Sequence, residues 1–372
     1  MSRRDKFTPA EVSGMETALA AAKLGVRGAN PLVGAVVLDA DGTVLAIGRH
    51  RGAGTLHAEA DALAALFSHG HRRDLSRATM VVTLEPCNHF GRTGPCAEAI
   101  IDAGVGTVVY AVNDPHAPAA GGAERLRAAG VSVRSGLMEE AALDLNRRWF
   151  TAVTEGRPFV TARLAQTLDG RIAAVDGTSQ WITSEESRAD SHALRGRVGA
   201  IVVGTGTVAA DNPRLTARAA DGSESPNQPL RVVMGVRPVP ADAAIRDQPG
   251  TDDPPRFLQL ATHDPRVVAD ELARRGVGHL MVEGGSKISA AFLAAGMVDE
   301  LIVYLAPTML GSGIPSLDDL GIGTLADAQH WEWEGAAGGA VSQLGPDLKL
   351  TLIPATGQTK KTVTHQPATE GR

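Results

Sequence analysis

The feature that most constrains this chain is a set of three residues with the chemistry of zinc ligands: His57, Cys87 and Cys96. The sequence of 372 residues contains 2 cysteines, and this set uses both. Two thiolates and a neutral imidazole hold Zn²⁺ and leave a fourth position open, where a bound water has a pKa of about 7. Glu59 can move protons for that water without being a ligand. This combination is typical of hydrolytic deaminases of nucleobases and related rings.

The surrounding sequence predicts where these residues lie. An apolar periodicity over residues 58–66 predicts a helix that begins at the histidine. Residues 79–84 have the pattern of a buried strand, so Cys87 follows its carboxyl end. Pro95 suits the first turn of a helix over 96–101, which Gly104 ends. A cysteine at a helix N-terminus is favoured as the thiolate, the form that binds metal.

Three other interpretations of the cysteines compete with catalytic zinc. A disulfide requires an oxidising compartment, but residues 1–9 contain no apolar segment of an export signal. A closed structural zinc site requires a fourth protein ligand, for which His89 is the nearby candidate. A reactive cysteine pair without metal is the third. We favour catalytic zinc.

Charge and aromatic content limit the class of substrate. The net charge is −6, and the 36 Lys and Arg residues form no long run. The chain has only 7 Phe, 4 Trp and 2 Tyr. A deaminase of nucleic acids would show a basic face and stacking aromatics, so we predict a small-molecule substrate and no nucleic-acid partner. No apolar run approaches the roughly 18 residues of a membrane span, and we expect a cytoplasmic protein without membrane contacts.

Residues 1–150 are predicted to form one α/β domain. Thr8 and Glu11 form a capping box for a helix that runs to Leu24. The pattern then predicts a hairpin at 33–47, strands at 79–84, 107–112 and 131–135, and helices at 58–66, 96–101, 122–129 and 138–150. Strands that alternate with helices in this way indicate a three-layer architecture.

A second α/β domain is predicted over residues 157–354, after a linker at 154–158. Its apolar strands are expected at 159–164, 199–203, 230–234, 279–282 and 299–305. Residues 219–229 and 238–255, rich in Pro, Asp and Ser, are expected to be surface loops. Residues 355–372 carry one strongly apolar side chain, Val363, and are predicted to form a disordered tail.

Two glycine-containing segments in the second half have the pattern of nucleotide-binding turns. Residues 203–209 match the dinucleotide fingerprint and follow a strand. A Rossmann site requires a full helix after the glycines, and Asp211-Asn212-Pro213 interrupts the chain after about one turn, so we reject that fold. At residues 281–286 a strand runs into two glycines and then a helix over 287–295. Amides at that helix start can hold a phosphate, but glycines at such a junction more often permit close packing.

Longer motifs carry a family resemblance that covers nearly the whole chain. In the first half they are Asn30-Pro31-Leu32-Val33-Gly34, Gly48-Arg49-His50, His57-Ala58-Glu59 and residues 83–96, in which eight residues (88–95) separate the cysteines. In the second half they are residues 167–171, 179–183, 206–213, 282–285 and 298–301. These motifs resemble the bifunctional riboflavin-biosynthesis proteins, in which a pyrimidine deaminase is fused to a ribosylaminouracil-phosphate reductase.

The resemblance implies a fold and an activity for each half. It implies a cytidine-deaminase-like fold for the first domain and a dihydrofolate-reductase-like fold for the second. The first domain would remove the 2-amino group of 2,5-diamino-6-ribosylamino-4(3H)-pyrimidinone 5′-phosphate with zinc. The second would reduce the ribosyl group to ribityl with NADPH. Reductases of this type commonly pair through exposed faces, so a homo-oligomer, a dimer or tetramer, is expected.

The resemblance also implies roles for individual residues. Zinc would be held by His57, Cys87 and Cys96, with Glu59 as the proton shuttle. Asn30 and His50 would contact the pyrimidine, and Arg92 and Asp114 the ribose phosphate. The implied substrate contacts of the reductase are Ser179, Arg195, Leu215, Arg218 and Glu283. The implied NADPH contacts are Ala165, Trp181, Thr207, Asp211, Gly285, Ser286, Lys287, Ile288, Ser289, Ala290 and Ala291.

Three positions depart from the family pattern. Arg163 stands where the family commonly has a lysine, and arginine cannot donate a proton near neutral pH. Gly235-Val236 replaces an aspartate and a polar residue, and His116-Ala117 replaces Asn-Pro. Two alternatives therefore stay open. One is a deaminase whose reductase-like domain only binds ligand or builds the oligomer. The other is an RNA-base deaminase with an accessory binding domain, which the charge and aromatic content oppose.

Overall fold

The computed structural model describes residues 6–25, 30–52, 54–68, 74–89, 94–116, 119–219, 221–247, 256–334 and 339–355. The chain forms two compact units, residues 1–156 and residues 157–372. Each unit combines helices with a sheet of its own, as the sequence predicts. Within the described segments, no helix has both the length and the apolar character needed to cross a membrane.

Unit 1, residues 1–156, is built around a mixed five-stranded sheet. Its elements are α1 (Pro9–Lys23), β1 (Gly34–Leu38), β2 (Val44–Arg49), α2 (Ala58–Phe67), β3 (Thr79–Leu84), α3 (Cys96–Asp102), β4 (Thr107–Val112), α4 (Gly122–Ala128), β5 (Ser132–Ser135), α5 (Glu139–Leu145) and α6 (Arg147–Glu155). The strand order is β2-β1-β3-β4-β5. Strand β1 is antiparallel to both of its neighbours, whereas β3, β4 and β5 run parallel. The predicted capping box between Thr8 and Glu11 is present at the start of α1.

Two glycines show that helices cover both faces of this sheet. Gly34 lies against α1, because a Cβ there would be 2.0 Å from the Ala18 carbonyl oxygen. Gly48 pairs with Ala35, the next residue of β1, and so faces the opposite side. A Cβ at Gly48 would be 2.1 Å from the Ala58 carbonyl oxygen of α2. The three-layer architecture predicted from the sequence is confirmed.

The strand directions place four loops at one edge of the sheet. Because β3 and β4 run parallel, the residues that follow them lie side by side. Because β1 is antiparallel to β2 and β3, the residues before β1 and after β2 lie at the same edge. Residues 30–33, 50–52, 54–57, 85–88 and 113–116 therefore meet there, where α2 and α3 also begin.

Unit 2, residues 157–372, contains a larger mixed sheet. Its elements are β6 (Phe159–Thr167), β7 (Arg171–Ala173), α7 (Glu185–Arg195), β8 (Ala200–Gly204), α8 (Thr205–Asp211), β9 (Leu230–Met234), β10 (Phe257–Leu260), α9 (Pro265–Arg274), β11 (His279–Val282), α10 (Ser286–Ala294), β12 (Glu300–Ala306), β13 (Ile314–Pro315), β14 (Trp331–Trp333), β15 (Val341–Leu344) and β16 (Asp347–Pro354). The strand order is β10-β9-β8-β11-β6-β12-β16-β14, and β15 also pairs with β16. The strands from β10 to β12 in this order are parallel, and β16 is antiparallel to its neighbours. Strands β7 and β13 form a separate ribbon.

The large sheet buries apolar side chains on both faces. Val202, Val232 and Leu280 belong to one core cluster, and their neighbours Ile201, Val233 and Met281 belong to another. This alternation follows from the period of two residues in a strand. The sheet includes the antiparallel strand β16, which the sequence does not predict. Helix α8 ends at Asp211, where the sequence predicts an interruption. Both features differ from a Rossmann fold, so its rejection is confirmed.

The structure contains elements that the sequence patterns do not predict. They are the strands β7, β10, β13, β14, β15 and β16 and the helices α7 and α9. Helix α8 has 7 residues, longer than the predicted single turn. Helix α7 is largely polar, and several of the strands span only 2 to 4 residues, too short for a clear period. The predicted loop at 238–255 includes a 3₁₀ turn at Ala244–Arg246, and residues 248–255 and 356–372 lie outside the described residues.

The predicted helix over 138–150 is wrong in one respect, because it is two helices that meet at Asn146. The Asn146 side chain accepts a hydrogen bond from Leu32 N (2.8 Å) and donates one to Leu32 O (2.8 Å). Both residues are buried, each 4% exposed, so these bonds satisfy backbone groups that water does not reach. Helix α6 then continues to Glu155, which makes the first part of the predicted linker helical.

Replacing Asn146 by alanine is expected to destabilise unit 1 by about 2–4 kcal/mol, because the N–H and C=O of Leu32 lose their partners in a buried place. Scanning calorimetry of the full-length protein measures this as a lower melting temperature. Asn227→Ala makes the same change at an exposed position and serves as the control. Equal melting temperatures for the two variants would contradict the assigned role of Asn146.

Candidate active sites

The three predicted zinc ligands lie together at the loop-bearing edge of the unit 1 sheet. His57 Nδ1 lies 3.5 Å from Cys87 Sγ and 3.3 Å from Cys96 Sγ. Tetrahedral zinc, with Zn–N bonds of about 2.0 Å and Zn–S bonds of about 2.3 Å, places nitrogen and sulfur about 3.5 Å apart. The donor set and its spacing therefore fit a zinc ion. Among the described residues, no other group of His, Cys, Asp and Glu ligand atoms converges in this way.

Each ligand is placed by the end of a secondary-structure element. His57 is the N-cap of α2 and has an extended backbone (φ −69°, ψ 161°). Cys87 follows β3, and its carbonyl accepts a hydrogen bond from Ala97 N (3.1 Å). Cys96 is the first residue of α3, after Pro95, and its N–H points at Cys87 Sγ (3.5 Å). The N-termini of two helices therefore face the cluster and favour negative charge there.

The environment favours a thiolate at Cys87. A hydrogen bond from the Cys96 thiol, assisted by one from His57, lowers the pKa of Cys87 to about 4 even though burial opposes the change. The same hydrogen bond and burial raise the pKa of the Cys96 thiol. One thiolate is therefore present at neutral pH, and the second forms when a bound cation displaces the proton.

Glu59 is buried next to the cluster, with 3% of its surface exposed. Burial raises the pKa of its carboxyl to about 7, and the negative charge of Cys87 acts in the same direction. A carboxyl group in this range can both accept and donate a proton near neutral pH.

The structure bears on the other interpretations of the cysteines. Cys87 and Cys96 are free thiols. His89 does not join the cluster that the described residues form, and its buried Nδ1 has no hydrogen-bond partner. Three protein ligands leave the fourth zinc position for water or substrate, which distinguishes a catalytic from a structural site.

The two predicted pyrimidine contacts lie beside the zinc ligands. The buried His50 ring stands edge-on to the His57 ring, with centroids 5.5 Å apart. Asn30 Nδ2 donates to His50 Nε2 (3.0 Å), and His50 Nδ1 donates to Leu56 O (3.1 Å). These bonds fix the orientation of the His50 ring, and the amide oxygen of Asn30 can accept a hydrogen bond from a ligand.

The predicted ribose-phosphate contacts are placed in part. Asp114 follows β4 at the same edge, and its N–H donates to Glu85 Oε2 (3.3 Å). Burial raises the pKa of the Asp114 carboxyl. His116 N donates to Asp114 Oδ1 (2.8 Å). Arg92 lies outside the described residues.

In unit 2 a buried carboxylate lies between two arginines. Glu283 follows β11 and accepts two hydrogen bonds from the Arg195 guanidinium of α7, one of them 2.8 Å long. Arg163 of β6 lies 3.6 Å from the same carboxylate and 5.1 Å from the centroid of the Tyr304 ring. Burial favours the neutral acid, but the charges of Arg195 and Arg163 lower the pKa of Glu283. Arg163, Arg195 and Glu283 together carry one net positive charge, which suits an anionic ligand.

Helix α7 also holds the loop that carries two predicted substrate contacts. The Thr216 carbonyl accepts hydrogen bonds from Arg195 Nη1 (3.1 Å) and from His192 Nδ1 (3.0 Å). In this loop Leu215 is buried in the left-handed region (φ 53°), and Arg218 is exposed. Ser179 is half-buried and precedes the helix.

Sequence reasoning missed His192 and Tyr304 as neighbours of this site. His192 lies one helical turn before Arg195, so a recognised helix α7 would have pointed to it. Tyr304 is fully buried in β12. Its relation to Arg163 depends on the pairing of β6 with β12, for which no local signal exists.

The start of α10 forms a cradle at the ends of β8 and β11. Thr207 Oγ1 accepts a hydrogen bond from Gly285 N (3.2 Å), which joins two predicted NADPH contacts. A Cβ at Gly204 or Gly284 would lie 2.8 or 2.7 Å from the Ile288 side chain, so glycine lets α10 approach the strand ends. No side chain caps α10 at Gly285, and its first N–H groups suit a phosphate.

The remaining predicted NADPH contacts are more dispersed. Ala165 pairs with Tyr304 between β6 and β12. Trp181 is exposed, with the Arg188 guanidinium 4.6 Å from its ring centroid. Within the described part of unit 2, no hydrogen bond joins Trp181 or the exposed Asp211 to another predicted contact. The other members are in the first two turns of α10, where Lys287 is exposed, Ser286 and Ala291 are half-buried, and Ser289 and Ala290 are buried.

Two family models match the chain. The model of the cytidine and deoxycytidylate deaminase zinc-binding region matches residues 10–112, and that of the RibD C-terminal domain matches residues 158–336. The riboflavin biosynthesis protein RibD of Mycobacterium tuberculosis (strain H37Rv) is 44% identical over 327 residues, covering 87% of this chain and 91% of the relative. RibD of Escherichia coli (strain K12) is 37% identical over 370 residues, covering 90% and 98%.

Solved structures give the same result. RibD of Acinetobacter baumannii (form 2) has a TM-score of 0.81 at 32% identity and covers 93% of this chain and 99% of its own. The deaminase/reductase of Thermotoga maritima has a TM-score of 0.80 at 30% identity, with the same coverages. These matches confirm the predicted fold class, the bifunctional enzyme class and the zinc and NADPH cofactors. The chain belongs to the RibD family, with a zinc-binding deaminase domain followed by a reductase domain.

Proposed function

We propose that residues 1–150 deaminate 2,5-diamino-6-ribosylamino-4(3H)-pyrimidinone 5′-phosphate and that residues 157–354 reduce the ribosyl group of the product to ribityl. The observation that carries this proposal is the cluster of His57, Cys87 and Cys96 with the buried Glu59 beside it, on a chain that also holds the Glu283 site. The similar Thermotoga maritima protein is by name a diaminohydroxyphosphoribosylaminopyrimidine deaminase and a 5-amino-6-(5-phosphoribosylamino)uracil reductase in one chain, which supports both steps.

In the deaminase, His57, Cys87 and Cys96 would hold zinc, which when bound supplies a water of lowered pKa. Glu59 is placed to take a proton from that water and to pass it to the departing amine. Asn30 and His50 would hold the polar edge of the pyrimidine. Asp114 would accept a hydrogen bond from a ribose hydroxyl, and Arg92 would pair with the phosphate.

In the reductase, the positive charge left by the two arginines around Glu283 supports binding of a phosphorylated sugar. Ser179, Leu215 and Arg218 would complete the substrate site. The α10 cradle would hold the phosphates of NADPH, which supplies the hydride. Ala165, Trp181 and Asp211, together with the exposed Lys287, would contact the rest of the cofactor.

We further propose that the protein is a cytoplasmic homo-oligomer. Metal-binding thiols persist in a reducing compartment, which supports the location. Edge strands β14 and β15 leave Trp333 and Val341 about half exposed, at 55% and 46%. An edge of this kind is usually covered, and a second copy of the chain would do so.

Replacing Glu59 by glutamine is expected to lower kcat for ammonia release by about 10²–10⁴-fold, because the amide keeps the shape of the side chain but cannot move a proton. The zinc content is expected to match that of the wild type. Ammonia assays and metal analysis on purified protein test both points. Glu16→Gln, at an exposed position of α1, is the matched control, and a Glu59→Gln variant as active as this control would refute the assigned role.

Removing zinc with a chelator is expected to stop ammonia release and to leave NADPH oxidation with the deaminated intermediate unchanged. The reason is that all three ligands lie in unit 1. Added zinc should restore deamination, and added magnesium should not, because the site is built from thiolates and imidazole. Loss of both activities on chelation would argue against separate sites.

Wild-type protein is expected to oxidise NADPH when it is given the deaminated intermediate. Arg163→Met is expected to lower kcat/KM of this step by about 10–100-fold, because a charged contact contributes about 1.5–3 kcal/mol. Arg163→Lys keeps the charge and should lose less. Ammonia release by the same preparations controls for folding. A wild-type protein that releases ammonia but consumes no NADPH would instead support a reductase-like domain that only binds ligand or builds the oligomer.

A further inference from the structure

We infer that Glu85 is a positioning residue of the deaminase site, which holds Asp114 where its carboxylate meets the ribose of the substrate. The inference rests on the proposed function, since it concerns how that site binds its substrate. Glu85 lies between β3 and Cys87, and within the described chain it is not part of the metal-ligand cluster.

The Glu85 carboxylate joins two segments that are distant in sequence. Its Oε2 accepts a hydrogen bond from Asp114 N (3.3 Å), and its Oε1 accepts one from Ala123 N (3.0 Å). The Glu85 N–H donates to Val112 O (2.8 Å), at the end of β4. With 8% of its surface exposed, the residue bonds to the protein in a place that water hardly reaches.

Glu85 also supplies a cap that α4 lacks. The N-cap of this helix is Gly121 (φ 91°), which has no side-chain oxygen, so the Glu85 carboxylate takes that place at the helix N-terminus. Gly122 allows the contact, because a Cβ there would be 1.7 Å from the Pro86 carbonyl oxygen. The loop that carries Cys87, the start of α4 and the turn at Asp114 are thus held together.

Asp114 depends on this connection more than His57, Cys96 and Glu59 do. Its turn follows β4 and continues into the exposed His116, whose N–H bonds back to the Asp114 side chain. From the sheet side the buried Glu85 carboxylate accepts from Asp114 N, and the Tyr110 hydroxyl donates to the neighbouring Asn113 side chain (2.8 Å). His57, Cys96 and Glu59 are placed by α2 and α3 instead. Loss of the Glu85 contact should therefore weaken substrate binding more than it slows the chemical step.

Glu85→Gln tests this because an amide offers one acceptor oxygen and one NH₂ group. It cannot accept from both Asp114 N and Ala123 N. We expect KM for the diaminopyrimidinone phosphate to rise about 10–100-fold, while kcat changes by less than about threefold and the zinc content stays the same. Steady-state ammonia release by the full-length, zinc-loaded protein gives KM and kcat.

Glu98→Gln is the matched control. Glu98 makes two hydrogen bonds to Arg125 (2.7 and 2.9 Å) and so also joins α3 to α4, but it does not contact Asp114. NADPH oxidation by unit 2 reports the integrity of each preparation. If Glu85→Gln does not yield folded protein, Glu85→Asp keeps two acceptor oxygens on a shorter side chain and should show a smaller rise in KM.

A double-mutant cycle separates positioning from general stability. If Glu85 acts through Asp114, Glu85→Gln should add little to the rise in KM that Asp114→Ala causes alone. Multiplicative effects on KM, or a fall in kcat together with loss of zinc, would overturn the inference. A wild-type protein that releases no ammonia would overturn the proposed function itself. An active wild type with an unchanged KM in Glu85→Gln would overturn only the role of Glu85.

Discussion

The approach of His57 to two cysteine sulfurs, at 3.3 and 3.5 Å, is the contact on which unit 1 depends. The Cys87 thiolate, the Cys96 thiol and the His57 imidazole can stay this close because they share protons, or a cation when metal is bound. The strand order brings the starts of α2 and α3 to one edge of the sheet, where their backbone amides stabilise negative charge. Gly48 and Gly122 allow this arrangement. A side chain at Gly48 would clash with α2, and one at Gly122 would clash with the loop that carries Cys87.

In unit 2 a buried negative charge is balanced by arginine side chains. Glu283 is buried, and leaving its charge unpaired would be costly, so Arg195 and Arg163 both pair with it. The Arg163 guanidinium lies over Tyr304, whose hydroxyl donates to Asp190 (2.6 Å), and Lys349 pairs with the same aspartate. Helix α7 thus contacts the sheet through Asp190 and Arg195. It is held largely by ion pairs and hydrogen bonds, which explains how so polar a helix can be stable there.

The parts of the fold that can be predicted from the sequence are those with a strong local signal. Buried apolar strands such as β3 and β4, and the capping box at Thr8, are recognisable because their signals lie within a few residues. The zinc ligands are recognisable because cysteine is scarce and its chemistry narrow. Helix α7 has no such signal because ion pairs replace its apolar face, and the break at Asn146 has none because its cause is a bond to Leu32. The roles of Glu85 and Tyr304 likewise depend on partners in other strands or helices, which no local pattern reveals.

The two sites differ in what their side chains can do with protons. In unit 1, burial places the pKa of Glu59 near neutrality, so a protein group can carry a proton between water and the leaving amine. Around Glu283 the opposite holds. The arginines stay charged at every physiological pH, they lower the pKa of Glu283 so that it stays ionised, and burial raises the pKa of Tyr304, whose hydroxyl is already donated to Asp190. These groups therefore act by charge and orientation. Arginine at position 163, where the resemblance implies a lysine, can therefore fill an electrostatic role but cannot donate a proton near neutral pH.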